Sequence, residues 1–402
     1  MNILVLVLDN ITAEITGGGQ TVLNLSKVWL DNGNDVSILM PRKWHDYLLL
    51  KKALNKACIL EVKESPEKCN TINVIFTYVI RLLQGIRYIV KLISIMNLNF
   101  IFVSGTLTSL VTAYIAETLH FLKYGKKPII LMPFYHFTPL EASYKKEHIK
   151  YVQYIIAVSS LRFARKFVTY FFTESTYTAR WLNKNLQIAK SSILPIGGGI
   201  DYDFIKKIEE KIAYPRKLFD ACFIGRIHPS KGVFDLVNAW YTVRNKIPEA
   251  KLALIGGGYP SYREKLEEAI KRLNLINNVI LFDYVSEEDK FKILKQSKFL
   301  AHPSYEECIP LTFFEAASLG VPIVTYYLST YENIRNHIIS LKKGNIKQLA
   351  DTLTTYITEY NTDPKIFSPL IESGIELAKR HSWRNIAKTI ISKTNSSAKT
   401  LC

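Results

Sequence analysis

An arginine and a lysine five positions apart, Arg226 and Lys231 in "GRIHPSKG", are cations that could neutralise a bound anion such as a phosphate. Two glutamates, Glu307 and Glu315, stand in "SYEECIPLTFFEAASLG" with seven residues between them. Carboxylates in such a place can hold sugar hydroxyls by paired hydrogen bonds, and backbone amides beside them can hold a phosphate. Each motif also has an ordinary structural explanation. A solvated turn carries the same two cations, and a helix with one capping and one solvated glutamate carries the same two acids.

The elements around these residues decide how they are presented. "CFIG" reads as a strand ending at Gly225, with Arg226 in the turn and Lys231-Gly232 before a helix that starts near Val233. Guanidinium, ammonium and helix dipole would then favour an anion at one strand end. "KLALIGGG" is a second strand running into glycines, where Gly257 lets backbone approach a ligand closely. "KFLAHPS" is a third, with Glu307 just beyond its end. Pro310 suits a helix start, Leu311–Leu319 continues it, and Gly320 stops it, so Glu315 falls about one turn in. The free amides around Cys308, Ile309, Pro310 and Leu311 would point into the same space.

The first half repeats the alternation. "NILVLVL" leads to the Gly-rich loop "TGGGQT" (Gly17, Gly18, Gly19), then to a helix whose spacing runs through Thr21, Val28 and Trp29 and ends at Gly33. "DVSILMP", "NFIFVSG", "PIILMPF" and "YFFTES" follow as strands. Strand–helix–strand on this scale predicts right-handed βαβ units, hence an α/β fold of two Rossmann-like parallel-sheet lobes facing a central cleft. The lobes are expected at 1–200 and 201–380, joined near "ILPIGGGIDYDF".

The chain of 402 residues carries 52 basic and 35 acidic side chains, a formal net charge of +17, which predicts an anionic partner. Five scattered cysteines with no paired spacing fit a reducing compartment and no structural zinc. The opening "MNILVLVLDN" reads as a buried first strand rather than a secretory leader, and no run reaches the roughly 18 apolar residues of a membrane span. The expectation is a cytoplasmic protein. "YVIRLLQGIRYIVKLISIM" (Tyr78–Met96) places Arg81, Arg87 and Lys91 among large apolar residues. Such a helix packs on the sheet with its basic residues outward, or lies on an anionic membrane surface.

The ordered set "GRIHPSKG", "GGG" and E-x7-E closely resembles the family 4 glycosyltransferases, retaining enzymes of the GT-B fold. The likeness covers most of the chain. "GGGQTVLNLSKVWLDNGNDVSIL" resembles the family's Gly-rich loop and first helix, "FFTESTYTARWL" and "ILPIGGGID" its approach to the linker, and "RHSWRNIAKTI" its closing helix, about 381–395, which crosses back to the first lobe.

The resemblance implies a nucleotide-sugar substrate, UDP-linked by default, and a glycan or lipid-linked acceptor. Arg226 and Lys231 would neutralise the departing diphosphate, removing the need for a metal, and no cofactor is implied. Glu315 would hold the ribose hydroxyls and Glu307 the donor sugar, with the amides of Cys308–Leu311 nearby. Gly225, Gly257 and Val285 would lie along the nucleotide, and Gly17–Gly19 would approach phosphates or acceptor from the first lobe. His136 in "MPFYHFTP" matches a position where the family often keeps a sugar contact; an aromatic-packed histidine reads the same way. Asp201 and Asp203 imitate a metal-binding DxD motif but follow the "GGGI" turn, and read as structural. After "VPIVTYY" the chain lacks the family's usual Gly-rich acidic loop.

Two other classes fit parts of the pattern. A nucleotide-binding oxidoreductase would use strand, Gly loop and helix, yet "TGGGQT" lacks the G-x-G-x-x-G spacing. A nucleic-acid-binding protein would explain the charge, yet no known module or stacking motif is present, so nucleic acid is not expected as a partner.

Overall fold

Continuous runs of Ile, Leu, Val and Phe form strands when helices cover both faces of a sheet. A computed structural model describes residues 1–8, 17–41, 58–62, 71–104, 107–134, 158–212 and 216–398. Within them lie strands β1 (Asn2–Leu6), β2 (Asp35–Pro41), β3 (Cys58–Val62), β4 (Phe100–Val103), β5 (Ile129–Phe134), β6 (Tyr170–Thr173) and β7 (Ile193–Pro195). They pair in parallel in the order β3-β2-β1-β4-β5-β6-β7. The second series is β8 (Phe219–Ile224), β9 (Leu252–Ile255), β10 (Val279–Phe282), β11 (Ser297–His302), β12 (Ile323–Tyr326) and β13 (Ile339–Leu341). It forms a separate parallel sheet, ordered β10-β9-β8-β11-β12-β13. Both orders reverse direction once, between β1 and β4 and between β8 and β11, which is the doubly wound arrangement.

The chain divides into two compact units. Unit 1 comprises Met1–Glu174, Thr178–Ile196 and Ile386–Cys402, and unit 2 comprises Ser175–Tyr177 and Gly197–Asn385. The helix Trp383–Ala398 therefore starts in unit 2 and finishes in unit 1.

In unit 2 the period of two splits each strand between two cores. Ala221 and Phe223 of β8, Leu252 and Leu254 of β9, and Phe299 and Ala301 of β11 join one apolar cluster with Trp240. Their neighbours Cys222, Ile224, Ala253, Ile255 and Leu300 join another with Phe313 and Phe314. Unit 1 has its own core, in which Leu4, Leu6, Ile101, Val103 and Phe171 meet the helix faces bearing Ile89, Leu110 and Trp181.

Three expectations change here. Gly17–Gly19 form the first turn of the helix Gly17–Asp31, not a loop before it, so their N–H groups belong to a helix N-terminus. Arg81 does not point outward: it is buried, and its guanidinium donates to the Leu8 carbonyl at 3.0 Å. β3, β7 and β13 were not anticipated. β3 ("CILEV") carries a glutamate, and β13 ("ISL") is three residues long, too short for a periodic signal.

Candidate active site

Four neighbouring strands of unit 2 end together. Ile224 of β8 pairs with Ile255 of β9, which pairs with Phe282 of β10, and β11 runs beside β8 to finish at His302. The residues after these strand ends are Gly225-Arg226, Gly256–Gly258, Asp283–Val285 and Pro303–Glu307. The reversal in strand order between β8 and β11 lies among them, where ligands bind in open α/β sheets.

Glycines let these loops touch. Gly256 has φ +135°, and a Cβ there would lie 2.1 Å from the Gly225 carbonyl oxygen. Ile227 N–H donates to the Gly257 carbonyl at 2.8 Å, and a Cβ on Gly257 would strike the Tyr284 ring. Gly232, at φ +68°, brings the 228–232 turn onto the loop after β11. There Tyr305 N–H donates to the Ser230 carbonyl at 2.8 Å, and Ser304 Oγ donates to the same oxygen at 3.1 Å. Tyr305 and Tyr326 hydroxyls both donate to Asp235 Oδ2, at 2.6 and 2.9 Å, pinning the loop to the helix Val233–Lys246.

That scaffold joins two of the expected residues. The Lys231 ammonium forms an ion pair with Glu307 Oε1, both side chains mostly covered. His302 Nε2 lies 3.3 Å from the same oxygen, and Thr330 Oγ1 donates to the Glu307 carbonyl at 2.9 Å. Burial opposes ionisation of Glu307, but the His302 hydrogen bond and the Lys231 charge outweigh it and bring the carboxyl down to about 2.

Glu315 sits apart from that pair. It is the fifth residue of the helix Leu311–Ser318, and its Oε1 accepts from Lys290 at 3.1 Å, while Lys290 also holds Glu287 at 2.8 Å. Burial raises the Glu315 pKa above the usual carboxylate value, and Lys290 offsets this only in part. Its Oε2 is buried with no hydrogen-bond partner among the described residues.

Arg226 is exposed and forms no ion pair among the described residues, so its guanidinium stands open at the strand ends. The helix Leu311–Ser318 has Pro310 as its N-cap, with no side-chain cap, leaving first-turn N–H groups unclaimed by any capping side chain. Cys308 and Ile309 are buried beside it. Val285 is half-buried next to Tyr284, which is 86% exposed. His136 lies outside the described residues. Asp201 caps the helix Tyr202–Lys211, accepting from the Phe204 N–H at 3.1 Å, and Asp203 pairs with Arg384 at 3.1 Å.

Three participants were missed in the sequence: His302, Lys290 and Asp235. A histidine closing an otherwise apolar strand was a readable signal. Lys290, held against Glu315 by two elements distant in sequence, left none.

Residues 204–367 match the family model described as Glycosyl transferases group 1. An uncharacterized glycosyltransferase of Methanocaldococcus jannaschii is 38% identical over 102 residues, 25% of this chain and 24% of that protein. The poly(glycerol-phosphate) alpha-glucosyltransferase of Bacillus subtilis is 28% identical over 178 residues, 42% of this chain and 25% of that one. The chain thus spans about a quarter of the length of these two relatives. Among solved structures, a glycosyltransferase from Rickettsia africae aligns with TM-score 0.71 at 18% identity, over 98% of both chains. Anabaena HepE, solved in complex with UDP, aligns with TM-score 0.72 at 16% identity, over 98% of this chain and 100% of that one. At such identities the likeness is one of fold: a two-lobe α/β fold of the GT-B kind.

Proposed function

We propose that the protein is a retaining glycosyltransferase of the family 4 type, moving a hexose from a UDP-linked donor to a glycan or lipid-linked acceptor without a metal ion. The carrying observation is the Lys231–Glu307 pair at the strand-order reversal of unit 2, inside the segment matched by the group 1 model. Poly(glycerol-phosphate) glucosylation in one relative and UDP in the HepE complex support the substrate class.

In this reading Arg226 and Lys231 take the diphosphate, whose negative charge grows as the sugar leaves. Fixed cations in a partly desolvated site stabilise that charge more than any other group here can. The bond from anomeric carbon to diphosphate oxygen breaks, and its electrons stay on that oxygen. The acceptor hydroxyl oxygen bonds to the same face of that carbon and passes its proton to the departing phosphate. Glu307 orients the donor sugar, Glu315 the ribose, and the N–H groups near Cys308–Leu311 assist at the phosphate. Gly225, Gly257 and Val285 give the nucleotide close backbone contact. By resemblance alone, His136 contacts the sugar and Gly17–Gly19 approach the phosphates or the acceptor.

Thermal unfolding tests the ligand class. UDP or a UDP-hexose raises the midpoint while NAD and oligonucleotides do not, about 2.7 kcal/mol being expected at a hundredfold excess over Kd. Lys231→Ala and Glu307→Ala each lower kcat by roughly 10²-fold or more with circular dichroism unchanged. Near-normal turnover by either folded variant sinks the assignment.

A further inference from the structure

His302 is the last residue of β11 and is 2% exposed. Its ring lies flat against Phe223, centroids 5.3 Å apart with 10° between planes, and meets the edge of Phe313 at 5.6 Å and 90°. Gly225 leaves room for it, since a Cβ there would come within 3.4 Å of its Cε1. The ring is thus clamped on two sides, with one polar outlet: Nε2 reaches Glu307 Oε1 at 3.3 Å, while Nδ1 is buried with no partner among the described residues. Only Nε2 faces an acceptor, so the ring donates from Nε2.

The same carboxylate oxygen also takes the Lys231 ammonium. One acceptor therefore serves two donors of different mobility: a lysine on a flexible stem and a histidine that cannot turn. The function proposed above sends Lys231 to the donor's diphosphate. When it goes, Glu307 loses its cation at the moment it must orient the sugar.

Resting on that reading, we propose that His302 is a positioning residue: its clamped Nε2–H holds the Glu307 carboxylate in place when Lys231 leaves for the diphosphate. Lys231 is thus stored on Glu307 in the free protein and released by the donor, while the glutamate stays fixed. Without the histidine, the Glu307 carboxylate keeps Lys231 as its ion-pair partner, so donor binding breaks that pair and leaves a loose carboxylate.

Two replacements separate this role from packing. His302→Phe keeps an aromatic ring between Phe223 and Phe313 but has no N–H. His302→Gln loses the ring but carries an amide N–H about as far from the backbone as Nε2. Steady-state donor turnover is measured for both after circular dichroism shows them folded. The expected result is a loss of tenfold or more in kcat/KM for the Phe variant, in kcat as well as donor KM, against about threefold for Gln. A Phe variant equal to or better than Gln overturns the proposal.

A second readout does not depend on turnover, so failure of the glycosyltransferase reading stays distinct. With ¹³C-labelled glutamate in the nucleotide-free protein, the Glu307 carboxyl titrates at higher pH in His302→Phe and close to wild type in His302→Gln. An unmoved midpoint in His302→Phe overturns the positioning role even if no sugar is ever transferred.

Discussion

Gly232 meets two demands at once: φ is +68°, and a Cβ would lie 1.8 Å from the Pro303 carbonyl oxygen. Alanine there must adopt a left-handed backbone and displace the loop that carries Glu307. The left-handed conformation alone costs about 1 to 3 kcal/mol. Gly232→Ala should therefore lower stability in urea melts by at least about 1 kcal/mol; an unchanged midpoint would refute both the backbone cost and the clash. The glutamates illustrate how surroundings assign tasks to identical side chains: Glu307 is held ionised by a histidine and a lysine, whereas burial makes Glu315 harder to ionise. Their spacing and the nearby cations were legible in the sequence. Lys290 was not, because it reaches Glu315 through the packing of two helices, which spacing along the chain does not encode, whereas His302, five residues before Glu307, left a signal that was passed over.

The helix Leu311–Ser318 links the proposed donor site to the run Gly197–Gly199. Phe314 stacks on His381 at 4.0 Å and 13°, and His381 Nδ1 donates to the Gly198 carbonyl at 3.0 Å. A Cβ on Gly198 would come within 2.8 Å of Leu311 Cδ2. Burial pushes the His381 imidazole down from 6.5 to about 4. Because the folded pKa is the depressed one, the contribution to stability is complete above pH 6.5 and is lost as pH falls toward 4. His381→Phe keeps the stack and removes the titration. Its stability deficit relative to wild type at pH 7.5 should shrink steadily toward pH 4.5 in denaturant melts; a constant deficit would refute the linkage. Most strands could be read beforehand, since long β-branched and aromatic runs have few other uses. The glycines that open the first helix misled, because a Gly-rich stretch looks like a loop even where it forms a helix's first turn.

Across the whole molecule the formal charge of +17 favours association with anions. No helix among the described residues is long and apolar enough to cross a membrane. The helix Thr71–Ile95 nonetheless exposes Val79, Leu83 and Val90 alongside Arg87 and Lys91, the mixture that an anionic lipid surface would attract. Co-sedimentation with vesicles rich in phosphatidylglycerol should be strong at low salt and weak near 1 M, where the Debye length shrinks to about 3 Å. Binding that ignores salt, or no binding at all, would remove the membrane from the account. The parallel pairing of both sheets was implied by alternation, but their strand order was not, and Arg81 turned inward to donate to the Leu8 carbonyl.

The backbone passes from unit 1 into unit 2 at Gly197 and returns through the helix Trp383–Ala398. A protease nick in the glycine run would therefore liberate neither half, since the C-terminal helix still belongs to both. Neither can be excised as one uninterrupted fragment, and a truncation before Ile386 would strip unit 1 of a segment that lies beyond all of unit 2 in the chain.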